Sequence, residues 1–180
     1  MLSNRIIRLF LMSTLMLFLV ASFTACGGSW TDAPDGRLKA GDWKLTLDQD
    51  GTTRTVYVHV PSSYTDTVAV PLLLVWHGYM DTATNQSNTD GFMDKANAEG
   101  FIVAYPEGSG TAGFQSWNAG KACCGTAVDK ALDDVQLGRD IVALLSGRCK
   151  IDAKRIYSHG HSNGAGMAHR VGREAANIFA

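Results

Sequence analysis

The chain has 180 residues, of which 46% are hydrophobic and 18% are charged, and its formal net charge is −1. This composition argues against an intrinsically disordered chain, and the near-neutral charge argues against a nucleic-acid-binding domain. The class that remains is a globular α/β domain.

The first 25 residues have the pattern of an export signal. Arg5 and Arg8 precede an apolar run over 9–20, and small residues follow as far as Ala25. The apolar run is short for a stable membrane span. We therefore predict a signal peptide over 1–25, and without its two arginines the net charge falls from −1 to −3.

A second signal lies at Cys26. The segment from Phe23 to Cys26 resembles a bacterial lipoprotein cleavage box, in which the cysteine becomes the lipidated first residue of the mature protein. Its acyl chains would be the protein's only membrane contact. Residues 26–40 would then be the lipidated cysteine and a flexible tether, and the protein a bacterial cell-envelope lipoprotein. Ordinary cleavage near Ala25, which would give a secreted protein, is the alternative.

Residues 41–60 predict a β-hairpin. Two alternating stretches, Trp43 to Asp48 and Thr52 to Val60, flank Asp50-Gly51, which is a strong hairpin turn. His59 is expected to be an exposed residue of the second strand. Pro61 ends this strand.

Two apolar runs then predict strands that are buried on both faces of a mostly parallel sheet. They are Pro71 to Trp76 and Phe101 to Tyr105. A helix over Asn88 to Ala98, ended by Gly100, separates them. This βαβ alternation is typical of an α/β fold.

A long loop rich in Gly and Ala, residues 108–125, follows the second of these strands. Apolar residues at helical spacing then predict one helix from Val128 to Leu145. Asp133 and Asp134 precede its main apolar face, and we expect them to favour the positive helix end and to accept hydrogen bonds from loop amides.

The chain has four cysteines, at positions 26, 123, 124 and 149. If Cys26 is lipidated, three remain in an oxidising compartment. Adjacent cysteines do not bridge easily, so the simplest expectation is a bond from Cys149 to Cys123 or Cys124. The spacing does not decide the pairing.

The most informative stretch is residues 155–168. A short strand-like run leads into Gly160-His161-Ser162-Asn163-Gly164, and helix-compatible residues continue to Arg173. This Gly-x-Ser-x-Gly pattern between a strand and a helix predicts a nucleophile elbow, with Ser162 as the nucleophile. The backbone N–H groups of Asn163 and of Tyr79, in the loop after the 71–76 strand, would form an oxyanion hole. A turn serine and an ordinary loop tyrosine are the alternatives.

These motifs are accompanied by others in a characteristic order. They are His77-Gly78, Pro106-Glu107-Gly108, Ser116-Trp117-Asn118-Ala119-Gly120, Cys123-Cys124-Gly125, Asp133-Asp134-Val135 and Gly160 to Met167. In this series the chain resembles the polyhydroxybutyrate-depolymerase-like and feruloyl or acetylxylan-type esterases, which are secreted α/β hydrolases. The resemblance covers residues 41–180. It implies hydrolysis of carboxylic esters, small or polymeric, by a Ser-Asp-His triad without metal or organic cofactor.

Further residues are candidates for the substrate cleft. Trp117 and Asn118 lie in the loop above the expected site, where substrate specificity is often determined, and His161 lies beside the nucleophile. For Trp117 a role as a loop anchor is equally open. His161, with His159, is also open to a structural role.

The triad itself is incomplete. In this fold the acid and the histidine follow the serine, but only 18 residues follow Ser162, and His169 lies about 10 Å along the helix from it. We therefore predict residues 41–180 to be the N-terminal half of an α/β hydrolase: a hairpin, then parallel strands with helices on both faces, truncated after the elbow helix. The alternative is a non-enzymatic lipoprotein on a hydrolase scaffold, which binds a glycan or a partner.

Overall fold

The computed structural model describes residues 29–121 and 123–180. In chain order the elements are β1 (Thr31–Asp32), β2 (Gly41–Gln49), β3 (Thr52–Val60), β4 (Val70–Trp76), α1 (Ala83–Thr89), α2 (Phe92–Glu99), β5 (Ile102–Pro106), α3 (Thr126–Asp129), α4 (Asp134–Arg148), β6 (Ile151–Gly160) and α5 (Asn163–Glu174). The predicted signal peptide and Cys26 lie outside the described residues. No helix in the described part is both long and apolar enough to span a membrane.

The strands form one sheet in the order β1-β2-β3-β5-β4-β6. The β2–β3 hairpin and the β3–β5 pair are antiparallel, whereas β4 pairs in parallel with both β5 and β6. One face packs against α4 and α5, and the other against α1 and α2. The predicted hairpin followed by parallel strands with helices on both faces is therefore confirmed.

The hairpin turn has the conformation that its sequence predicts. Asp50 and Gly51 both have positive φ, at 52° and 78°, as a two-residue turn between twisted strands requires. The prediction for His59 is wrong, because its side chain is only 6% exposed. His59 faces Asp42 in the β2–β3 register, and its Nδ1 lies 2.6 Å from the Asp42 Oδ1.

Two predicted helices are each divided in the structure. The first is interrupted at Gly91, whose φ of 72° is left-handed, and α1 and α2 lie on either side of it. The second is interrupted after Asp129, and α4 begins only at Asp134. Asp133 caps α4 by accepting a hydrogen bond of 2.9 Å from the Gln136 amide, so its predicted role at the helix end is confirmed.

The segment before the hairpin packs on the domain instead of forming a free tether. β1 pairs in parallel with β2, and Leu38 is 2% exposed in the core beneath α4. Trp30 packs against Tyr57 and Tyr105 on the opposite face of the sheet. The prediction of a flexible tether over 26–40 is thus wrong for its described part, residues 29–40, because apolar side chains in it reach both cores.

The cysteine pairing also differs from the expectation. Cys123 and Cys124 form a disulfide with each other, and Cys149 is a free, buried thiol. Cys149 follows the C-terminus of α4, whereas the Cys pair leads into Gly125, which contacts Ser116 near the N-terminal end of that helix. Fifteen helical residues span about 22 Å, far beyond the reach of a disulfide.

Candidate active site

Ser162 occupies a strained turn between β6 and α5. Its φ of 53° and ψ of −118° lie outside the usual regions for a residue with a side chain. The two flanking glycines make this turn possible. A Cβ on Gly160 would lie 2.2 Å from the Gly164 carbonyl oxygen, and a Cβ on Gly164 would lie 2.0 Å from the Trp76 carbonyl oxygen.

Parallel pairing brings the loop after β4 beside this serine. Trp76 and Gly160 are register partners at the carboxyl ends of β4 and β6, and the His161 amide donates to the Trp76 carbonyl at 3.2 Å. A Cβ on Gly78 would lie 3.6 Å from the Ser162 Cβ. The Ser162 side chain therefore lies next to the loop that carries the predicted oxyanion donor, Tyr79.

The conformation of this loop depends on His77, which is fully buried. Its Nε2 accepts a hydrogen bond of 2.9 Å from the Gly108 amide, so its Nδ1 carries the proton and donates to the Gly78 carbonyl at 2.7 Å. The Gly78 carbonyl and the Tyr79 N–H belong to one trans peptide and point in opposite directions. His77 thus fixes the orientation of the Tyr79 N–H, and burial lowers the pKa of the imidazole, which favours its neutral form.

Asn163 connects the elbow to the loop above it. Its side-chain oxygen accepts from the Trp117 amide at 2.8 Å, and its side-chain nitrogen donates to the Trp117 carbonyl at 3.2 Å. The backbone N–H of Asn163 is at the start of α5, where helix amides have no acceptor within the helix. The Asn163 side chain is therefore structural, and its amide remains the second predicted oxyanion donor.

The prediction that Trp117 lines a substrate cleft is wrong. Its side chain is fully buried, donates to the His77 carbonyl at 2.9 Å and packs edge-on against Trp76. Trp117 is the loop anchor that the sequence left open. Asn118 is partly exposed, but its side-chain nitrogen donates to the Leu132 carbonyl at 2.7 Å, so the loop itself uses its amide group. For Asn118 and the exposed His161 a lining role remains a prediction.

Each of the five histidines has a position in which it does not serve as the base for Ser162 in the described part of the chain. His59 and His77 are held as given above, and His159 packs against Phe92 at 4.9 Å between ring centroids. The His161 Nδ1 lies beside Gly78, and His169 lines a surface groove two turns along α5. These positions are consistent with the prediction that the general base lies elsewhere.

Glu107 is a residue of this region for which the sequence predicted no role. Its Oε2 accepts a hydrogen bond of 3.3 Å from the Ala83 amide at the start of α1. Its Oε1 is buried without a partner and lies 3.6 Å from the His77 Nε2. Burial raises the pKa of Glu107 to about 7. The position of Glu107 directly after a buried strand was the signal in the sequence that pointed to it.

We expect Glu107 to make stability fall as the pH rises. Because its pKa is about 7 in the folded state and near 4.5 in the unfolded state, the folded protein binds this proton more tightly. The contribution is fully present below pH 4.5 and is lost as the pH rises through about 7. Glu107→Gln removes this dependence, so the difference in free energy of unfolding between variant and parent should grow by on the order of 2 kcal/mol over that range.

Urea unfolding at a series of pH values measures this effect. Glu99→Gln removes one negative charge at an exposed helix position and is the matched control. A Glu107→Gln difference that stays constant with pH, or that Glu99→Gln reproduces, would contradict the assignment.

Comparisons with known proteins point to esterases. Feruloyl esterase B of Piromyces equi is 35% identical over 127 residues, which are 71% of this chain and 23% of that protein. A bifunctional acetylxylan esterase/xylanase of Neocallimastix patriciarum is 33% identical over 134 residues, 73% of this chain and 18% of the relative. A putative esterase of Nocardia uniformis is 30% identical, and 37% of it is covered. The chain therefore spans between a fifth and two fifths of these relatives. No family model matches.

Solved structures agree with the observed topology. An S-formylglutathione hydrolase from Agrobacterium tumefaciens superposes with a TM-score of 0.59 at 18% identity, covering 77% of this chain and 54% of that one. A ferulic acid esterase from Anaeromyces mucronatus gives 0.59 at 17% identity, covering 82% and 59%. The chain has the α/β-hydrolase fold. In this fold the strand-to-helix turn at Ser162 is the nucleophile position, which agrees with the strained geometry found here.

Proposed function

We propose that this chain provides the nucleophile and the oxyanion hole of a carboxylic ester hydrolase. The observation that carries the proposal is the conformation of Ser162, held at positive φ between two glycines and beside the loop of Tyr79. Strain of this kind is maintained where a function requires it. Sequence similarity to esterases supports the same reaction.

The reaction follows from the positions of these groups. The Ser162 Oγ attacks the ester carbonyl carbon, and its proton passes to a general base. The carbonyl oxygen becomes an oxyanion that accepts hydrogen bonds from the N–H groups of Tyr79 and Asn163, each worth about 2.7 to 4 kcal/mol in such a site. Collapse expels the alcohol, which takes up the proton, and water then hydrolyses the acyl-serine.

The base belongs to a part of the protein beyond the described residues. The relatives are several times longer than the matched region, so a longer form of this protein has room for a histidine and its orienting acid. In that form the histidine would lie against the exposed side of Ser162.

The substrate class we propose is an acyl ester carried on a polysaccharide. The relatives are named for feruloyl and acetylxylan ester cleavage. A polyhydroxyalkanoate ester is the further candidate that the sequence motifs suggest.

The protein is further proposed to be exported and anchored through a lipid on Cys26. The arginines and apolar run before the cysteine support this proposal. Metabolic labelling with a fatty acid, lost on Cys26→Ser, is the measurement that decides it.

A non-enzymatic lipoprotein that binds a glycan or a partner is the second candidate. The observation in its favour is that every histidine of the chain has a place other than beside the Ser162 hydroxyl. Reactivity of Ser162 separates the two candidates.

We expect the Ser162 hydroxyl to react with an ester-like organophosphonate, because the oxyanion donors stabilise the phosphonyl oxygen as they would a tetrahedral intermediate. Mass spectrometry should find one adduct on Ser162 in the parent chain and none in Ser162→Ala. Ser63→Ala, at an exposed serine in another loop, is the matched control and should react like the parent. An adduct at another serine, or none, would exclude the enzymatic proposal for this chain.

A further inference from the structure

A groove with a strongly positive lining lies along the outer side of α5. It has a volume of about 460 Å³, within the range of ligand sites. Four basic residues line it, and the one acidic residue in the lining is Glu174. The basic residues are Lys121, His169, Arg170 and Arg173.

The groove lies on the side of α5 that carries the nucleophile. At 100° per residue, Gly166, His169 and Arg173 fall within about 40° of Ser162 around the helix axis. His169 is about 10 Å and Arg173 about 16 Å along the axis from Ser162. A long substrate whose ester lies at Ser162 could therefore extend over this side of the helix.

The floor of the groove consists of small residues. Gly166 is exposed, and a Cβ there would lie 3.1 Å from the Ala119 Cβ, so loop and helix meet without large side chains between them. Gly120 and Ala131 continue this floor. The groove thus has room for a ring-shaped group beside the charges.

The charges in the groove are not balanced internally. The Glu174 carboxylate is shared, because it accepts from the Arg170 Nε at 3.2 Å and from the Arg173 Nη2 at 2.7 Å. Arg170 is also held by the Asn118 carbonyl at 2.5 Å, whereas the Arg173 side chain is 71% exposed. Lys121 is exposed as well. Planar guanidinium groups are suited to bind a further carboxylate in two-point fashion.

We infer that this groove binds a carboxylate group on the polysaccharide that carries the ester, as found in a uronic-acid side group. The inference rests on the proposed polysaccharide ester substrate. Charge complementarity supports it, since the part of the chain after the signal has a net charge of −3 while this groove is positive. The groove would determine which polysaccharides the protein prefers, separately from the chemistry at Ser162.

Calorimetric titration of the chain with a glucuronic-acid-substituted xylo-oligosaccharide tests the inference, with the unsubstituted oligosaccharide as the neutral ligand. The Ser162→Ala background keeps the readout independent of catalysis. The acidic ligand should bind about tenfold more tightly than the neutral one at about 20 mM salt, and this advantage should shrink at about 300 mM. Lys121→Gln with Arg173→Gln should weaken the acidic ligand about tenfold and leave the neutral one unchanged.

Lys95→Gln is the matched control, because Lys95 is exposed and pairs with Glu99 on the opposite side of the domain. Equal binding of the two oligosaccharides, no binding, an equal loss in Lys95→Gln, or tighter binding of a DNA oligonucleotide would overturn the inference. Labelling of Ser162 together with any of these results would sink the inference alone, whereas failed labelling with selective acidic binding would sink the proposed enzyme.

Discussion

Gly164→Ala is expected to cost more than about 4 kcal/mol of unfolding free energy, enough to unfold a domain of ordinary stability. The added Cβ would lie 2.0 Å from the Trp76 carbonyl oxygen and 2.5 Å from that of His77. Both are backbone atoms at the end of β4, so no side-chain rotation relieves the contact. α5 and β4 would have to separate, and the geometry of the elbow would be lost with them.

Gly172→Ala in the same helix is the matched control. A Cβ there meets nothing within 4 Å, and alanine favours a helix by up to about 1 kcal/mol over glycine. Urea unfolding should therefore move the two variants in opposite directions. If Gly164→Ala unfolds at the urea concentration of the parent, the close approach of helix and strand described here is incorrect.

Asp134→Ala is expected to cost about 3 to 5 kcal/mol. The Asp134 carboxylate is fully buried, pairs with the Arg54 guanidinium at 2.9 Å and accepts from the Asn118 amide at 2.7 Å. Burial raises the pKa of Asp134, and Arg54 opposes that rise. Removing the carboxylate leaves a buried cation and a loop amide without acceptors, and both connect α4 to the sheet and to the loop above Ser162.

The neighbouring carboxylate is the control for this prediction. Asp133→Ala removes only a helix cap and should cost about 1 kcal/mol. The double variant Arg54→Met with Asp134→Leu removes both charges and should recover most of the loss, as thermal unfolding would show. Equal costs for Asp133→Ala and Asp134→Ala would show that the ion pair contributes little.

The parts of the fold that the sequence predicted correctly depend on local chemistry. The Asp50-Gly51 turn needs two residues that accept positive φ, and its neighbours alternate, so the hairpin follows from adjacent residues alone. The elbow is similar, because glycines on both sides of Ser162 are required for the backbone to turn there. The buried strands β4 and β5 were visible as continuous apolar runs.

Tertiary contacts decided the rest. Apolar spacing continues through residues 126–145, but the chain leaves the helix after Asp129, and Asp134 turns inward to meet Arg54, which is 80 positions away in sequence. Trp117 resembled a cleft residue because it lies in a loop, yet it is buried by hydrogen bonds to Asn163 and His77. Such partners are distant in the sequence, and no local pattern indicates them.

The candidate site divides in the same way. The sequence by itself determined the nucleophile position, because the constraint at Ser162 is a steric one that only its immediate neighbours relieve. Only the tertiary structure decided that His77 orients the Tyr79 peptide, that Glu107 lies beneath it, and that Cys149 is too far along α4 to reach the Cys123–Cys124 pair. These outcomes depend on which strand ends are adjacent and how long a helix separates two loops, and those distances exist only in the folded chain.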